Sequence, residues 1–160
     1  MNIREAKKED IPKLITIISD VFKEYSLIFD EQVELPDFVN FEEHYGNYEH
    51  TLFVMEHNNK YAGCGALTLG ENGGEVKRVY VQKSFRGQGL GKKLVQHLIN
   101  VANQQEAPHL HLWTDTRFTI AHHLYLSLGF TRTESQRPLN DINESFEIYF
   151  EMNLSNDEQI

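Results

Sequence analysis

The sequence predicts an α+β domain, with a mixed, mostly antiparallel sheet of six or seven strands and helices on both faces. Three observations carry this. Two runs rich in Leu, Phe, Val and Tyr flank Asn58-Asn59, as in a tight hairpin. The strand-like run Val76-Lys77-Arg78-Val79-Tyr80-Val81 leads through a glycine-rich turn into a helical pattern. Apolar spacing switches between strand and helix periods in the order β-α-α-β-β-β-α-β-α-β-β.

Asn2 to Ala6 reads as the first strand. Asp10 fits a helix N-cap, and Pro12 is tolerated in a first turn. Leu14, Ile15, Ile18, Val21, Phe22 and Tyr25 then form one core-facing stripe. Ser26 to Asn47 is irregular and acidic, with Leu35-Pro36-Asp37 as a breaker and a short second helix expected around Phe38 to Tyr45. Thr51 to His57 and Lys60 to Leu69 are the hairpin strands, and Gly63 and Gly65 admit another backbone closely. Asn72-Gly73-Gly74 turns the chain into the central strand. Leu90, Leu94, Val95, Leu98, Ile99 and Ala102 mark the helix after the glycines.

His109 to Trp113 follows as a strand. Arg117 to Leu128 reads as a helix with Ile120, Leu124 and Leu128 on one side, and Gly129 caps it. Phe130 to Ser135 and Ser145 to Leu154 are the last strands, joined by a loop from Gln136 to Glu144. Residues 1–154 are expected to form a single domain and 155–160 a frayed polar tail.

A chain of 160 residues can bury one proper core, and 40% hydrophobic with 24% charged residues is a globular composition. No apolar run approaches the roughly 18 residues of a membrane span. The first residues lack a secretory core, and Cys64 is the only cysteine, so the expected location is cytoplasmic. The formal charge of −9 argues against nucleic acid and anionic membranes as partners. Cys64 reads as a small buried hydrophobe. His109 and His111 share a strand face, but no cysteine or further spaced carboxylate completes a metal set, and no metal is expected.

Against that acidic background, Val76 to Gln96 holds Lys77, Arg78, Lys83, Arg86, Lys92 and Lys93 without an acid among them. Gly87, Gly89 and Gly91 bare the backbone just where a helix begins and its amides lack partners. These features describe an anion site at the positive end of a helix dipole. The spacing fits neither a P-loop nor a dinucleotide fingerprint.

The pattern R-x-x-G-x-G, read as Arg86, Gly89 and Gly91 after Val79-Tyr80-Val81, resembles the acyl-CoA segment of the GNAT superfamily of N-acetyltransferases. Ala121-His122-His123-Leu124-Tyr125-Leu126-Ser127-Leu128-Gly129-Phe130 is similar to that family's closing helix and strand. The resemblance implies a GNAT-like fold and acetyl-CoA as cosubstrate, held by Val79, Tyr80, Val81, Arg86, Gly87, Gln88, Gly89, Leu90, Gly91 and Lys92. It places the pyrophosphate on the amides of Arg86 to Gly91, with the Arg86 and Lys92 side chains adding charge.

A bulge near the middle of the central strand would explain why Val76 is out of phase with Val79 and Val81. Such a bulge would also free an amide for the thioester oxygen. By the same resemblance Tyr125 is the acid that protonates the leaving thiolate. Glu75, on the same nominal strand face as Val79 and Val81, is the base. Where the family often has an asparagine against the pantetheine, this chain has Thr114-Asp115-Thr116-Arg117-Phe118-Thr119.

The expected function is acetyl transfer to a primary amine of a small molecule or protein, by direct attack in a ternary complex. A non-catalytic CoA-binding sensor and a nucleotide-phosphate enzyme are the alternatives. Oligomeric state stays open, a homodimer included.

Overall fold

The structure, a computed structural model, describes residues 1–154; the tail expected at 155–160 lies outside the described residues. β1 (Asn2–Glu5), β2 (His50–His57), β3 (Lys60–Gly70) and β4 (Gly73–Val81) form an antiparallel meander. β5 (His109–Asp115) joins β4 in parallel, and β7 (Phe146–Asn153) lies between β5 and β6 (Thr131–Pro138). The sheet order is β1-β2-β3-β4-β5-β7-β6, mixed and mostly antiparallel as expected. Asn58 (φ 53) and Asn59 (φ 61) make the hairpin turn between β2 and β3, each in the left-handed region that asparagine tolerates.

α1 (Ile11–Glu24) buries Ile11, Leu14, Ile17, Ile18, Val21 and Phe22 against one face of the sheet, where Leu52, Val54, Cys64 and Ala66 meet it. Asp10 occupies the N-cap position, but its side chain does not cap α1. Its carboxylate accepts instead from Arg4 at 2.8 and 2.9 Å, from the Lys7 N–H at 2.7 Å and from the Tyr61 hydroxyl at 2.7 Å. Charged and paired donors outcompete a lone helix amide.

The irregular segment contains three short helices rather than one: α2 (Glu31–Glu34), α3 (Pro36–Val39) and α4 (Phe41–His44). Pro36 opens α3 instead of ending a helix, because a first helical residue needs no N–H. Leu35 and Phe38, each 1% exposed, pin this segment to α1.

On the opposite face, α5 (Leu90–Gln104) buries Leu90, Leu94, Val95, Leu98, Ile99 and Ala102, the same six residues its periodicity marks. α6 (Thr119–Ser127) shares this core through Tyr125, together with Phe130 and Phe150. It is shorter than Arg117 to Leu128, and its buried residues are His122 and Tyr125. Ile120, which the period groups with Leu124 and Leu128, is 64% exposed, whereas those two pack against the core.

Two irregularities shape the centre of the sheet. Between Cys64↔Tyr80 and Ala66↔Lys77, β4 advances by one residue more than β3, and Arg78 there has φ 57. This is the bulge that the phase of Val76 requires. It also corrects the expected position of Glu75. Thr68↔Glu75 and Ala66↔Lys77 share the α1 face with Cys64↔Tyr80, whereas Val76, Val79 and Val81 pack on the α5 side. The extra residue flips side-chain parity, so Glu75 and the two valines point to opposite faces.

The second irregularity is a divergence of strands. β4 pairs with β5 only at Gly74↔Leu110 and Glu75↔His111, while β5 follows β7 as far as Asp115↔Glu147. From Val76 to Val81 one edge of β4 therefore has no strand beside it.

Candidate active site

The glycine turn closes the open end of that gap. Gly87 (φ 81) and Gly89 (φ 75) are left-handed, and Gly89 is the N-cap of the 15-residue α5. A Cβ built on either glycine would meet nothing within 4 Å. Their demand is conformational, and the space above them is open. Lys93 N–H donates to Gly89 O at 3.2 Å, the first bond of the helix. Among the described residues, the amides of Gly87, Gln88, Gly89, Leu90, Gly91 and Lys92 find no acceptor. They converge at the positive end of the helix dipole, a seat for phosphate oxygens.

This cradle opens into a groove between β4 and α6. Val79, Tyr80 and Val81 form one wall, and Phe118, Ile120, Ala121 and Leu124 form the other. Ile120 is exposed on this groove, while Leu124, on the same side of α6, both lines the groove and packs against the core. Arg86, Gly87, Gly89, Leu90, Gly91 and Lys92 line the same groove, so it gathers the expected cofactor residues apart from Gln88. A Cβ on Gly91 would sit 3.4 Å from Leu124 Cδ2 and 3.5 Å from Val81 Cγ2, narrowing the passage. The unpaired edge of β4 offers main-chain hydrogen bonds to a ligand that carries amides.

Side-chain charge is arranged differently from the sequence expectation. Arg86 does not reach toward the cradle; its guanidinium binds Glu24 of α1 at 2.7 and 2.8 Å and the Val81 carbonyl at 3.0 Å. Arg78 pairs with Asp37, and Lys77 lies 3.6 Å from Glu75. Of the basic island, Lys83, Lys92 and Lys93 remain without a carboxylate partner among the described residues, and Lys92 lies on the groove.

A second pocket adjoins the groove and shares Val79, Tyr80, Phe118 and Ala121 with it. Tyr125 lines this second pocket and is 5% exposed. Its position is fixed by the end of α6. Gly129 (φ 102) lies just past the helix, Gly129 N–H donates to Leu126 O at 3.2 Å, and Phe130 N–H donates to Tyr125 O at 3.1 Å. These are the two bonds of a Schellman stop. The Phe130 ring packs against the Tyr125 ring at 5.8 Å, and Phe150 lies 5.9 Å away. Burial pushes the Tyr125 phenol above its ordinary pKa, so it stays protonated at neutral pH. Among the described residues its hydroxyl makes no hydrogen bond.

Glu75 lines the second pocket too, between Lys77 at 3.6 Å and His111 at 3.8 Å. Asp115 is bound by Arg117 at 2.8 and 2.9 Å, and its carbonyl accepts from His122 Nε2 at 2.8 Å. That turn is therefore stitched to itself where the family often has an asparagine. Arg137 pairs with Glu147 at 2.8 Å and lies 4.1 Å above the Trp113 ring. Cys64 is fully buried, its thiol is pushed up to about 12 by burial, and it donates to Arg78 O at 3.3 Å. That is a packing role.

Sequence reasoning missed the partners that Glu24 and Asp37 find. Glu24 sits 62 positions from Arg86, and Asp37 sits 41 from Arg78. Asp37 follows a proline that read only as a breaker, and Glu24 sits between Lys23 and Tyr25 at the end of a core-facing stripe.

The sequence model of the acetyltransferase (GNAT) family matches residues 18–130. An uncharacterized N-acetyltransferase of Escherichia coli K12, YjgM, is 30% identical over 135 residues, covering 80% of each chain. A stretch of 56 residues is 43% identical to an uncharacterized N-acetyltransferase of Dictyostelium discoideum, but it spans only 26% of that protein. A GNAT-family acetyltransferase of Staphylococcus aureus superposes with a TM-score of 0.81 at 24% identity, over 96% of this chain and 99% of that one. The structure of yncA of Salmonella typhimurium, described as a putative acetyltransferase with its cofactor acetyl-CoA, gives 0.73 at 22% identity over 98% and 95%. The two structures share the fold, and the family match with the YjgM relative fixes the kinship: this chain belongs to the acetyltransferase (GNAT) family.

Proposed function

We propose that this protein moves an acetyl group from acetyl-CoA to a primary amine of a small molecule or protein, by direct attack within a ternary complex. The reading rests on one observation: unpartnered amides at the start of α5 open into a groove that runs along an unpaired strand edge to the pocket holding Tyr125.

The residues present fit acetyl-CoA. The amides of residues 87–92 would hold the pyrophosphate, Lys92 would add charge, and the β4 edge from Val79 to Val81 would pair with the pantetheine amides. Bound there, acetyl-CoA supplies an activated acyl carbon. The bulge at Arg78 frees main chain near Val79 to polarise the acyl oxygen.

The acceptor enters from the second pocket. Aliphatic amines have a pKa near 10.4 and arrive protonated, so a carboxylate of the pocket wall, where Glu75 lies, must take one proton. The amine nitrogen then bonds to the acyl carbon, the carbon–sulfur bond breaks, and its electron pair leaves on sulfur. Tyr125 donates its proton to that sulfur, whose thiol has a pKa of about 8.5, and recovers one through solvent from the nitrogen, which sheds its second proton as it becomes an amide.

No helix among the described residues is long and apolar enough to cross a membrane. A cytoplasmic location, a single domain over residues 1–154 and a homodimer belong to this proposal.

Thiol release from acetyl-CoA across an amine panel tests it. Turnover on at least one amine is the expected result. Tight CoA binding without turnover on any amine would make the chain a sensor, and displacement of CoA by ATP would turn the groove over to nucleotides.

A further inference from the structure

Glu34 is the last residue of α2, and its N–H donates to Asp30 O at 2.8 Å. Its side chain lines the second pocket, together with Tyr80 and Tyr125. Among the described residues the Glu34 carboxylate has neither an ion pair nor a hydrogen bond. The other carboxylates in the wall are occupied. Glu75 has Lys77, Asp115 has Arg117, Glu147 has Arg137, and Asp141 accepts from the Ser145 N–H at 2.7 Å and hydroxyl at 2.8 Å. The cations of the wall are spent in the same way, with Arg78 on Asp37. Pairing therefore leaves Glu34 as the one acid of this pocket with neither a countercharge nor a hydrogen-bond donor among the described residues.

We infer that Glu34 is the carboxylate that receives the acceptor's ammonium group and takes its proton, and that the acceptor is positively charged around its reacting amine. This rests on the acetyltransferase reading above and adds the acceptor's charge and the residue that meets it.

The environment suits the role. Burial raises the Glu34 pKa, and the nearby charges of Asp141, Asp30 and Asp115 raise it further, while Arg78 opposes them. Asp141, although burial acts against it, is held below its ordinary value by the Ser145 N–H and hydroxyl. Two carboxylates of one pocket, shifted in opposite directions, divide the work: Asp141 stays an anion, and Glu34 accepts a proton more readily than an ordinary glutamate. An entering ammonium supplies the missing countercharge. One N–H bond breaks, the proton passes to a Glu34 oxygen, and the nitrogen keeps its electron pair for the acyl carbon. Glu75 is less suited, because Lys77 and His111 already flank it.

A raised carboxylate pKa means that ionised Glu34 opposes folding. Its favourable contribution is complete below the ordinary value of 4.5 and is lost as pH rises through the folded value. At neutral pH Glu34→Gln should therefore be as stable as the native protein or more so. A residue kept for structure would behave oppositely.

The test compares the native protein, Glu34→Gln and Glu75→Gln in thiol release from acetyl-CoA. The probes are 1,5-diaminopentane and lysine methyl ester as cationic amines, and glutamate and aspartate as acidic ones. The expected result is preference for the cationic amines and a loss of about 100-fold in kcat/KM for Glu34→Gln. Its CoA affinity should be unchanged and its Tm equal or higher. Glu75→Gln should lose less. Activity of Glu34→Gln within twofold of native, a preference for the acidic amines, or a loss that tracks weakened CoA binding would overturn the inference.

Should the native protein acetylate none of the probes, the readout is the Tm shift that 1,5-diaminopentane gives the CoA-bound protein. A shift that Glu34→Gln abolishes upholds the inference, and an absent or equal shift overturns it. Failure of the acetyltransferase reading looks different, since CoA would then not bind or no amine would release thiol.

Discussion

Arg78 and Asp37 grip each other in a two-point ion pair, Nη2 to Oδ1 at 2.8 Å and Nε to Oδ2 at 3.2 Å, and the Tyr45 hydroxyl donates to the same Oδ2 at 2.5 Å. Arg78 is the left-handed residue of the β4 bulge, a conformation that costs a residue with a Cβ roughly 1–2 kcal/mol. The ion pair holds the distortion in place, and it does so from the segment between α1 and β2.

Asp37→Asn should therefore destabilise the protein by about 3 kcal/mol, because it leaves a largely buried guanidinium without its anion. It should also raise KM for acetyl-CoA as the bulge relaxes. Burial alone would lift the Asp37 pKa, but the Arg78 hydrogen bonds and charge overcome it, and the net shift is downward from 3.8. The stabilisation is thus full above the unfolded value and lost as pH falls through the folded one. Thermal unfolding should give its widest gap between native and variant at neutral pH, closing below about pH 4.

Gly89→Ala forces a methyl-bearing residue into φ 75 at the N-cap of α5. The expected cost is about 1 kcal/mol of stability. With the cradle distorted, KM for acetyl-CoA should rise about tenfold, equivalent to about 1.4 kcal/mol. Steady-state kinetics against acetyl-CoA, with calorimetry alongside, reads both effects.

Tyr125→Phe keeps the ring contacts with Phe130 and Phe150 and removes a hydroxyl that no group among the described residues engages. Tm and CoA affinity should stay put while kcat falls about 100-fold. An unchanged kcat would remove the acid role.

Glu24→Gln releases the Arg86 guanidinium beside the phosphate cradle. A partly exposed pair of this kind contributes about 1 kcal/mol or less, so folding should hardly notice. CoA should bind about threefold tighter at low salt, with the gain screened out near 1 M salt. Titration at two ionic strengths measures this.

The elements with regular periods were legible in advance. The buried stripe of α5, the Asn58-Asn59 turn and the Gly129 stop all rest on local rules that tertiary contacts do not override. The Ser26 to Asn47 segment was harder, since three short helices held by Leu35, Phe38 and an ion pair carry no period. The period of α6 put Ile120, Leu124 and Leu128 on one side without separating Ile120, which lines the groove, from the two leucines that pack on the core. Glu75 misled for a subtler reason. The bulge was foreseen and its effect on parity was not, so the side chain was assigned to the wrong face. Arg86 and Arg78 read as free positive charge because Glu24 and Asp37 are distant in the chain and adjacent only once it folds.

The parting of β4 from β5 after Glu75 leaves a berth defined by peptide groups rather than by particular side chains. Amino-acid drift along that stretch would leave the coenzyme's lodging largely intact. The second pocket draws its lining from many elements, α2, β5, α6 and the β6–β7 loop among them, and there each side-chain replacement redraws what can enter. In such a design the donor is inherited and the recipient is negotiable.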